Sequence, residues 1–283
     1  LLASTPTRKG HNQNCLASGV KPGGVGPTPA PPPPPPAPPT TGLCDVRDWG
    51  AKGDGITVDT QAINAAIAAC GGITFKAGLN FLTGTIQLKS NLVVIVEDEA
   101  TILGAPGHIA IPPPNPAASH PNKWYREGGY QDYGHSHWAD SLIHGDSVSN
   151  VTIRGAGTID GNGALLSGSP KAGQGCKMFG IVGSTNVSVR GLTTRGGGWF
   201  TVLATDSEHL MFDGLTIHAS RDAMDIMGCR HVLITNMNIS GGGDDAVKFG
   251  SDYSRGKIVD SFDINITDSS ESRPPPMTRL SRA

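Results

Sequence analysis

The sequence predicts an all-β protein, a single-stranded, right-handed parallel β-helix closed at its N-terminal end by one capping helix. The first reason is a phrase that returns at near-constant spacing. Asn150-Val151-Thr152-Ile153-Arg154-Gly155 is echoed by Asn186-Val187-Ser188-Val189-Arg190-Gly191, by His209-Leu210-Met211-Phe212-Asp213-Gly214 and by His231-Val232-Leu233-Ile234-Thr235-Asn236. The last three copies start 23 and 22 positions apart (186, 209, 231). Each tends to alternate apolar with polar residues, the period of a half-buried strand, and each closes on Gly or Asn at a turn. The second reason is a short apolar segment that follows several copies: Gly157-Thr158-Ile159-Asp160, Leu215-Thr216-Ile217-His218 and Met237-Asn238-Ile239-Ser240. Two or three short strands in each turn of about 20 to 25 residues, stacked turn on turn, make a solenoid. An antiparallel sandwich is the other arrangement of short strands, but its hairpins do not need one phrase at a fixed interval. The third reason is composition: 39 Gly among 283 residues and only 16% charged residues suit many tight turns around a narrow core.

Taken in chain order, residues 1–42 read as a linker. From Pro27 to Pro39 the chain is almost entirely Pro and Ala, a stiff polyproline II tract that spaces modules and buries nothing. The start at Leu1-Leu2-Ala3 without Met suggests the stub of a removed secretory signal, and hence an extracellular or cell-wall location. Residues 43–268 are assigned to the coil and 269–283 to an irregular tail, because Pro274-Pro275-Pro276 forbids ladder pairing. The coil opens with Cys44-Asp45-Val46-Arg47-Asp48-Trp49-Gly50-Ala51-Lys52-Gly53-Asp54-Gly55. A helix then runs from Asp59 to Cys70, with Asp59 as N-cap, an apolar stripe of Ile63, Ala66, Ile67 and Cys70, and a stop at Gly71-Gly72. It covers the first rung, whose edge groups and core side chains are otherwise exposed. Cys44 and Cys70 bracket that cap and are expected to pair in a secreted protein. Cys176 and Cys229 are expected to stay reduced in or near the coil, and Cys15 to remain unpaired.

A net charge of −2 gives no reason to expect a nucleic-acid partner, and no apolar run reaches the length of a membrane span. A monomer is expected. Acid/base chemistry is suggested by two acidic stretches, Ser220-Arg221-Asp222-Ala223-Met224-Asp225-Ile226 and Gly243-Asp244-Asp245-Ala246-Val247-Lys248-Phe249. Asp222 and Asp244 are 22 positions apart, which places them on neighbouring strands about 4.8 Å apart along the coil. Asp222, Asp244 and Asp245 then share one patch. Packing has no use for three like charges, which raise one another's pKa; general acid/base catalysis does.

Val46-Arg47-Asp48-Trp49-Gly50-Ala51-Lys52-Gly53-Asp54-Gly55, with Asp59-Thr60-Gln61-Ala62-Ile63 after it, resembles the opening of the polygalacturonase-type glycoside hydrolases. Ser141-Leu142-Ile143-His144-Gly145 and Gly157-Thr158-Ile159-Asp160-Gly161-Asn162-Gly163 are similar to that family's early rungs, and the likeness runs from about Cys44 to Asp260. The resemblance implies hydrolysis of α-1,4-linked galacturonan by single displacement with inversion, without a cofactor or metal. By position, Asp222 matches the aspartate of the family's Asn-Thr-Asp-Gly motif, and Asp244 and Asp245 match its Asp-Asp pair. Asp244 is then the general acid, and Asp222 and Asp245 hold and activate the water, with about 6.5–9.5 Å between acid and base carboxyls.

The chain departs from the pattern in several places. Ser220, Arg221 and Ala223 replace the motif's Asn, Thr and Gly, and no Gly-His-Gly follows Asp245. Arg255-Gly256-Lys257 has the spelling of the family's substrate-gripping Arg-x-Lys but comes only ten residues after Asp245, and is read as a solvated turn. Weak turnover by a chain lacking those groups is the expectation. Asp225 is read as a turn-stabilising side chain. His135, His137 and His144, near Tyr133 and Trp138, could ligate a metal but are read as loop and turn residues. The five aromatics from Trp124 to Trp138 could flank a sugar cleft or pack outside the coil. Asn150, Asn186, Asn238 and Asn265 begin Asn-x-Ser/Thr sequons at repeat-equivalent or strand positions. Two other functions share the coil: a pectate-lyase-like enzyme, which needs Ca²⁺ and an Arg base, and a non-catalytic wall-polysaccharide-binding β-helix.

Overall fold

The computed structural model describes residues 40–107, 133–135, 138–165 and 176–272. Among them the strands form three sheets. The first contains Thr40–Asp45, Cys70–Phe75, Leu92–Val96, Ser149–Gly155, Thr185–Arg190, Glu208–Asp213, Arg230–Thr235 and Phe262–Thr267. The second contains Asp54–Val58, Asn80–Thr83, Thr101–Gly104, Thr158–Asp160, Thr193–Arg195, Thr216–Ala219, Asn238–Gly241 and Ser270–Ser272. The third holds six: Ile86–Gln87, Ser141–Asp146, Lys177–Val182, Phe200–Thr205, Asp222–Met227 and Val247–Gly250. Every named strand pairs in parallel with its counterpart one turn on, as in Glu208–Asp213 with Arg230–Thr235, so the fold is the coil and not the sandwich.

Stacking in register is what makes the repeat a fold. On the first sheet Ile73, Val94, Ile153, Val189, Phe212 and Ile234 lie one above another. On the second, Phe81, Ile102, Ile159, Thr194, Ile217 and Ile239 do the same. All twelve are buried, and each apolar side chain meets its equivalents above and below. That burial stabilises the stack by about 1.5–3 kcal/mol for each Val, Leu, Ile or Phe.

The first residue of the recurring phrase has its own task. Asn91, Asn150, Asn186, His209, His231 and Asp263 all have φ between 54° and 59°. This left-handed corner disfavours most side chains and admits Asn, Asp and His. The corner side chains bond to one another along the axis: Asn150 Nδ2 donates to Asn91 Oδ1 at 2.9 Å, and Asn186 Nδ2 to Asn150 Oδ1 at 2.8 Å. The rings of His209 and His231 stack at 4.8 Å, and His231 Nδ1 lies 2.7 Å from Asp263 Oδ2. Two of the four sequon asparagines, Asn150 and Asn186, are therefore committed to this ladder.

The cap forms as a helix over Thr60–Ala69, one residue shorter at each end than the sequence suggested. Ile63, Ala66 and Ile67 face the coil. Asp59 occupies the N-cap position without capping. Its buried carboxylate instead accepts bonds from the Lys52 N–H at 2.7 Å and the Gly53 N–H at 3.0 Å, fixing the turn before the helix. Cys44 and Cys70 form the expected disulfide. Cys229 is a buried thiol, and burial pushes its pKa up to about 12. Cys176 corrects the expectation, because it is disulfide-bonded. Burial, which suggested a thiol, shields a sulfur from water but not from another sulfur. Cys15 lies outside the described residues, as do His137, residues 1–39 and the Pro-rich tail from Arg273. Strands extend slightly past the expected coil boundaries: the first begins at Thr40, and Ser270–Ser272 pairs with Asn238–Gly241.

The third sheet is buried on both faces. Lys177–Val182, Phe200–Thr205 and Asp222–Met227 are buried throughout. Their outer side is covered by an apolar group of Trp138, Val182, Trp199, Phe200, Leu203 and Met227. Trp138 Nε1 donates to Thr205 Oγ1 at 2.9 Å. Of the aromatics expected between Trp124 and Trp138, this one packs on the coil's outside. On the last described turn the apolar side chains are open, with Phe249 56% and Phe262 53% exposed. Among the described residues, no helix is long and apolar enough to cross a membrane.

Candidate active site

Two consecutive turns of the third sheet position the acidic residues. Asp222 begins the strand Asp222–Met227, whereas Asp244 and Asp245 precede the strand Val247–Gly250 in the bend after Gly241-Gly242-Gly243. The two strands pair as Met224 with Val247 and Asp225 with Lys248, an offset of 23. The Ala223 N–H donates to the Asp245 carbonyl at 2.9 Å. Asp245, rather than the Asp244 expected from the 22-residue spacing, is therefore level with Asp222. The three expected carboxylates do share one region, in unlike surroundings. Asp222 is buried and Asp244 and Asp245 are exposed.

Arg221 ties the region together. Its Nη1 donates to Asp222 Oδ2 at 3.0 Å, and its Nη2 reaches across the turn to Asp244 Oδ2 at 2.7 Å. The guanidinium lies over the Trp199 ring, 3.7 Å from its centroid. Such stacking fixes the plane of the fork. Asp222 Oδ1 and Trp199 Nε1 are buried with no hydrogen-bond partner among the described residues. Burial is the main cause that raises the Asp222 carboxyl to about 7, and the negative charge of Asp225 adds to it. Asp244 and Asp245 add less, and Arg221 opposes the rise.

Asp225 is not the turn residue expected. It sits inside the strand, fully buried, with Oδ2 2.8 Å from His135 Nε2 and 3.9 Å from Lys248 Nζ. His135 is likewise buried, next to the Phe200 ring at 5.0 Å. No local signal reveals this pair, which joins positions 90 apart. The Lys248 contact was readable in principle, since the strand offset sets it opposite Asp225. His144 is buried elsewhere on the sheet, and burial holds its pKa below the usual imidazole value.

Arg255 and Lys257 do lie in the expected turn, closed by the Gly256 N–H on the Tyr253 carbonyl at 2.9 Å, with the Lys257 side chain 63% exposed, but both reach back to the coil. Arg255 Nη1 bonds Asp206 Oδ2 at 2.7 Å, Lys257 Nζ lies 3.1 Å from the same oxygen, and Arg230 Nη1 is 3.9 Å from Asp206 Oδ1. Asp206 is buried at the corner after Phe200–Thr205. A short antiparallel bridge between Asp252 and Val259 shapes the excursion that carries both cations. They staple that excursion to the coil.

Comparison with known proteins shows what the chain as a whole is similar to. The chain is 31% identical over 154 residues to the exo-poly-alpha-D-galacturonosidase of Dickeya chrysanthemi, covering 52% of this chain and 24% of that one. It is 31% identical over 159 residues to the plasmin and fibronectin-binding protein A of Streptococcus pneumoniae, covering 52% and 20%. The chain thus spans about a quarter or less of the length of these curated relatives. The polygalacturonase structure from Erwinia carotovora ssp. carotovora superposes with a TM-score of 0.59 at 18% identity, over 83% of this chain and 64% of that one, which speaks for the coil. Residues 126–268, just over half of the chain and inclusive of all three aspartates, match Glycosyl hydrolases family 28. The chain is a member of the Glycosyl hydrolases family 28.

Proposed function

We propose that this site hydrolyses the α-1,4-galacturonosyl linkages of pectic galacturonan with inversion at the anomeric carbon. The observation that carries the reading is the unlike trio: a buried Asp222 whose carboxyl is held near neutrality, level with Asp245 and joined through Arg221 to Asp244. Two carboxyl groups whose surroundings separate their protonation are what acid and base roles need. In the reaction, water attacks the anomeric carbon from the face opposite the leaving sugar. The bond from that carbon to the glycosidic oxygen breaks. Asp244 delivers a proton to that oxygen, and Asp222 and Asp245 hold the water and take its proton.

In the free site the proton is stored on Asp222, while Asp244 is the ionic partner of Arg221. Hydrolysis therefore begins with one proton passing from the Asp222 side to Asp244. Turnover by this chain is slow, because Arg255 and Lys257 are spent on Asp206 and do not grip substrate. A pectic substrate places the protein outside the cell, acting as a monomer; the Cys44–Cys70 disulfide suits an oxidising compartment.

The test is reducing-end release from polygalacturonate, with the product's anomeric configuration followed by NMR. Inverted product, lost in Asp222→Asn, Asp244→Asn and Asp245→Asn, is expected; retained configuration or indifference to all three changes refutes the assignment. A binding-only reading draws on the similarity to the pneumococcal binding protein and on the arginine that neutralises Asp244. Polysaccharide binding without reducing-end release would favour it.

A further inference from the structure

We propose that Arg221 is the residue that reads the carboxylate of an acidic sugar, and that this contact releases Asp244 to serve as the acid. The inference rests on the hydrolase reading above and names the group through which the site distinguishes charged from uncharged sugars.

Five observations converge on Arg221. Among the described residues it is the cation paired with both Asp222 and Asp244. Lys248 is turned to Asp225, and Arg255, Lys257 and Arg230 gather on Asp206. The cations that could compete for a substrate carboxylate are thus engaged elsewhere. A guanidinium has five N–H donors in a fixed fork; two bonds to aspartate leave donors unused. Trp199 holds the fork's plane from one side, and the arginine side chain keeps 23% of its surface open. Its two partners differ sharply. Asp222 is 1% exposed and fixed in the strand, whereas Asp244 is 48% exposed, in a bend, and free to swing away.

The chemistry requires that swing. A carboxyl group that gives up a proton cannot at that moment be the anionic partner of a guanidinium, so the Arg221–Asp244 pair must part before or during proton delivery. An arriving uronate offers the same group as Asp244 and takes its place on Nη2. Charge and protons balance: Arg221 exchanges one carboxylate for another, and the proton stored on Asp222 moves to Asp244. Asp222, now ionised, keeps its bond from Nη1. Asp225 and Asp245 complete the charged surroundings, with Lys248 and His135 on Asp225. A methyl-esterified sugar has no anion to offer and leaves Asp244 paired.

The test compares binding of a galacturonate trimer with that of its methyl ester by calorimetry, using the full chain. Wild type is expected to prefer the acid form. In Arg221→Gln that preference falls by roughly 10- to 100-fold, the span of a hydrogen bond to a charged group. Arg221→Lys retains part of it, and carries the comparison if the Gln variant does not fold. Because Asp244 competes for the guanidinium, Asp244→Asn should bind the acid trimer more tightly than wild type. The control Asp245→Asn removes an equal charge with no bond to Arg221 and should gain less. The Asp244→Asn gain should vanish in the Arg221→Gln background. Unchanged preference in both Arg221 variants, or weaker acid binding in Asp244→Asn, overturns the proposal. Reducing-end release is measured in parallel. No release with the binding pattern intact sinks the hydrolase reading while supporting the role of Arg221; release with unaltered preference does the reverse.

Discussion

Replacing Asp222 by Asn should change stability in a way that depends on pH, with a sign fixed by the structure. The folded carboxyl stands at about 7 against an ordinary value of 3.8, mainly through burial and secondarily through Asp225. A carboxyl whose folded value is raised favours folding while protonated, so its full contribution is present below about pH 4. That contribution is lost as pH rises toward 7, where the buried group must ionise. Three units at about 1.36 kcal/mol each put the cost on the order of 4 kcal/mol at pH 8. Asn has nearly the same shape, still accepts a bond from Arg221 and never ionises. Arg221 retains Asp244 as its charged partner. Urea denaturation of both proteins at pH 4 and pH 8, followed by tryptophan fluorescence, measures the difference. The variant should be near wild type in stability at pH 4 and more stable by several kcal/mol at pH 8. Equal midpoint shifts at the two pH values, or a less stable variant at pH 8, would refute the reasoning.

Asp244→Asn and Asp245→Asn should each lower turnover at least about 100-fold, as general acid/base catalysis requires, measured as initial reducing-end release. His135→Ala strands the buried Asp225 carboxylate without its ring partner and should cost about 3 kcal/mol, read from the urea midpoint. Changing both Cys44 and Cys70 to Ser opens a loop spanning 26 residues and should cost about 3–4 kcal/mol on the chain-entropy account, measured the same way under non-reducing conditions. His231 holds the Asp263 carboxyl below its usual value, so their bond supports the last described turn above the ordinary carboxylate range. That support disappears as pH falls through the lowered value. Hydrogen exchange over 262–267 should rise at low pH in wild type and be less pH-dependent in Asp263→Asn.

The fold was legible because its two strongest constraints appear directly in the residues. The phrase beginning Asn150, Asn186, His209 and His231 marks the left-handed corners, and its second apolar position supplies the inward column Ile153, Val189, Phe212 and Ile234. The site was only partly legible. Spacing brought Asp222, Asp244 and Asp245 to one region, but the bend after Gly241-Gly242-Gly243 sets Asp245 rather than Asp244 level with Asp222. Asp225 was misread because alternation along a strand says which face a side chain takes, not whether something covers that face. Here His135, from a preceding segment, packs against it. Arg255 and Lys257 were rightly placed in a turn, but their partner Asp206, 49 residues before Arg255, leaves no local signal. Arg221 looked like a departure from a motif; its reach to the next turn depends on a stacking partner, Trp199, that spacing alone does not reveal.

The corner ladder makes the length of this molecule a matter of whole turns. Corner residues stack on corner residues and inward residues on inward residues, so a turn has no memory of how many precede it. Excising residues 186–208 would seat His209 on Asn150 and Phe212 on Ile153, restoring a polar corner and an apolar column, while Arg255 and Lys257 would lose Asp206 and Trp138 would lose Thr205. Asp222 and Asp244 would keep each other and Arg221, lose the Trp199 platform, and move about 4.8 Å toward the cap. The distance from cap to cleft therefore comes in steps of one turn, and a protein built this way can move its chemistry along an axis by whole turns, provided the groups that flank the site move with it.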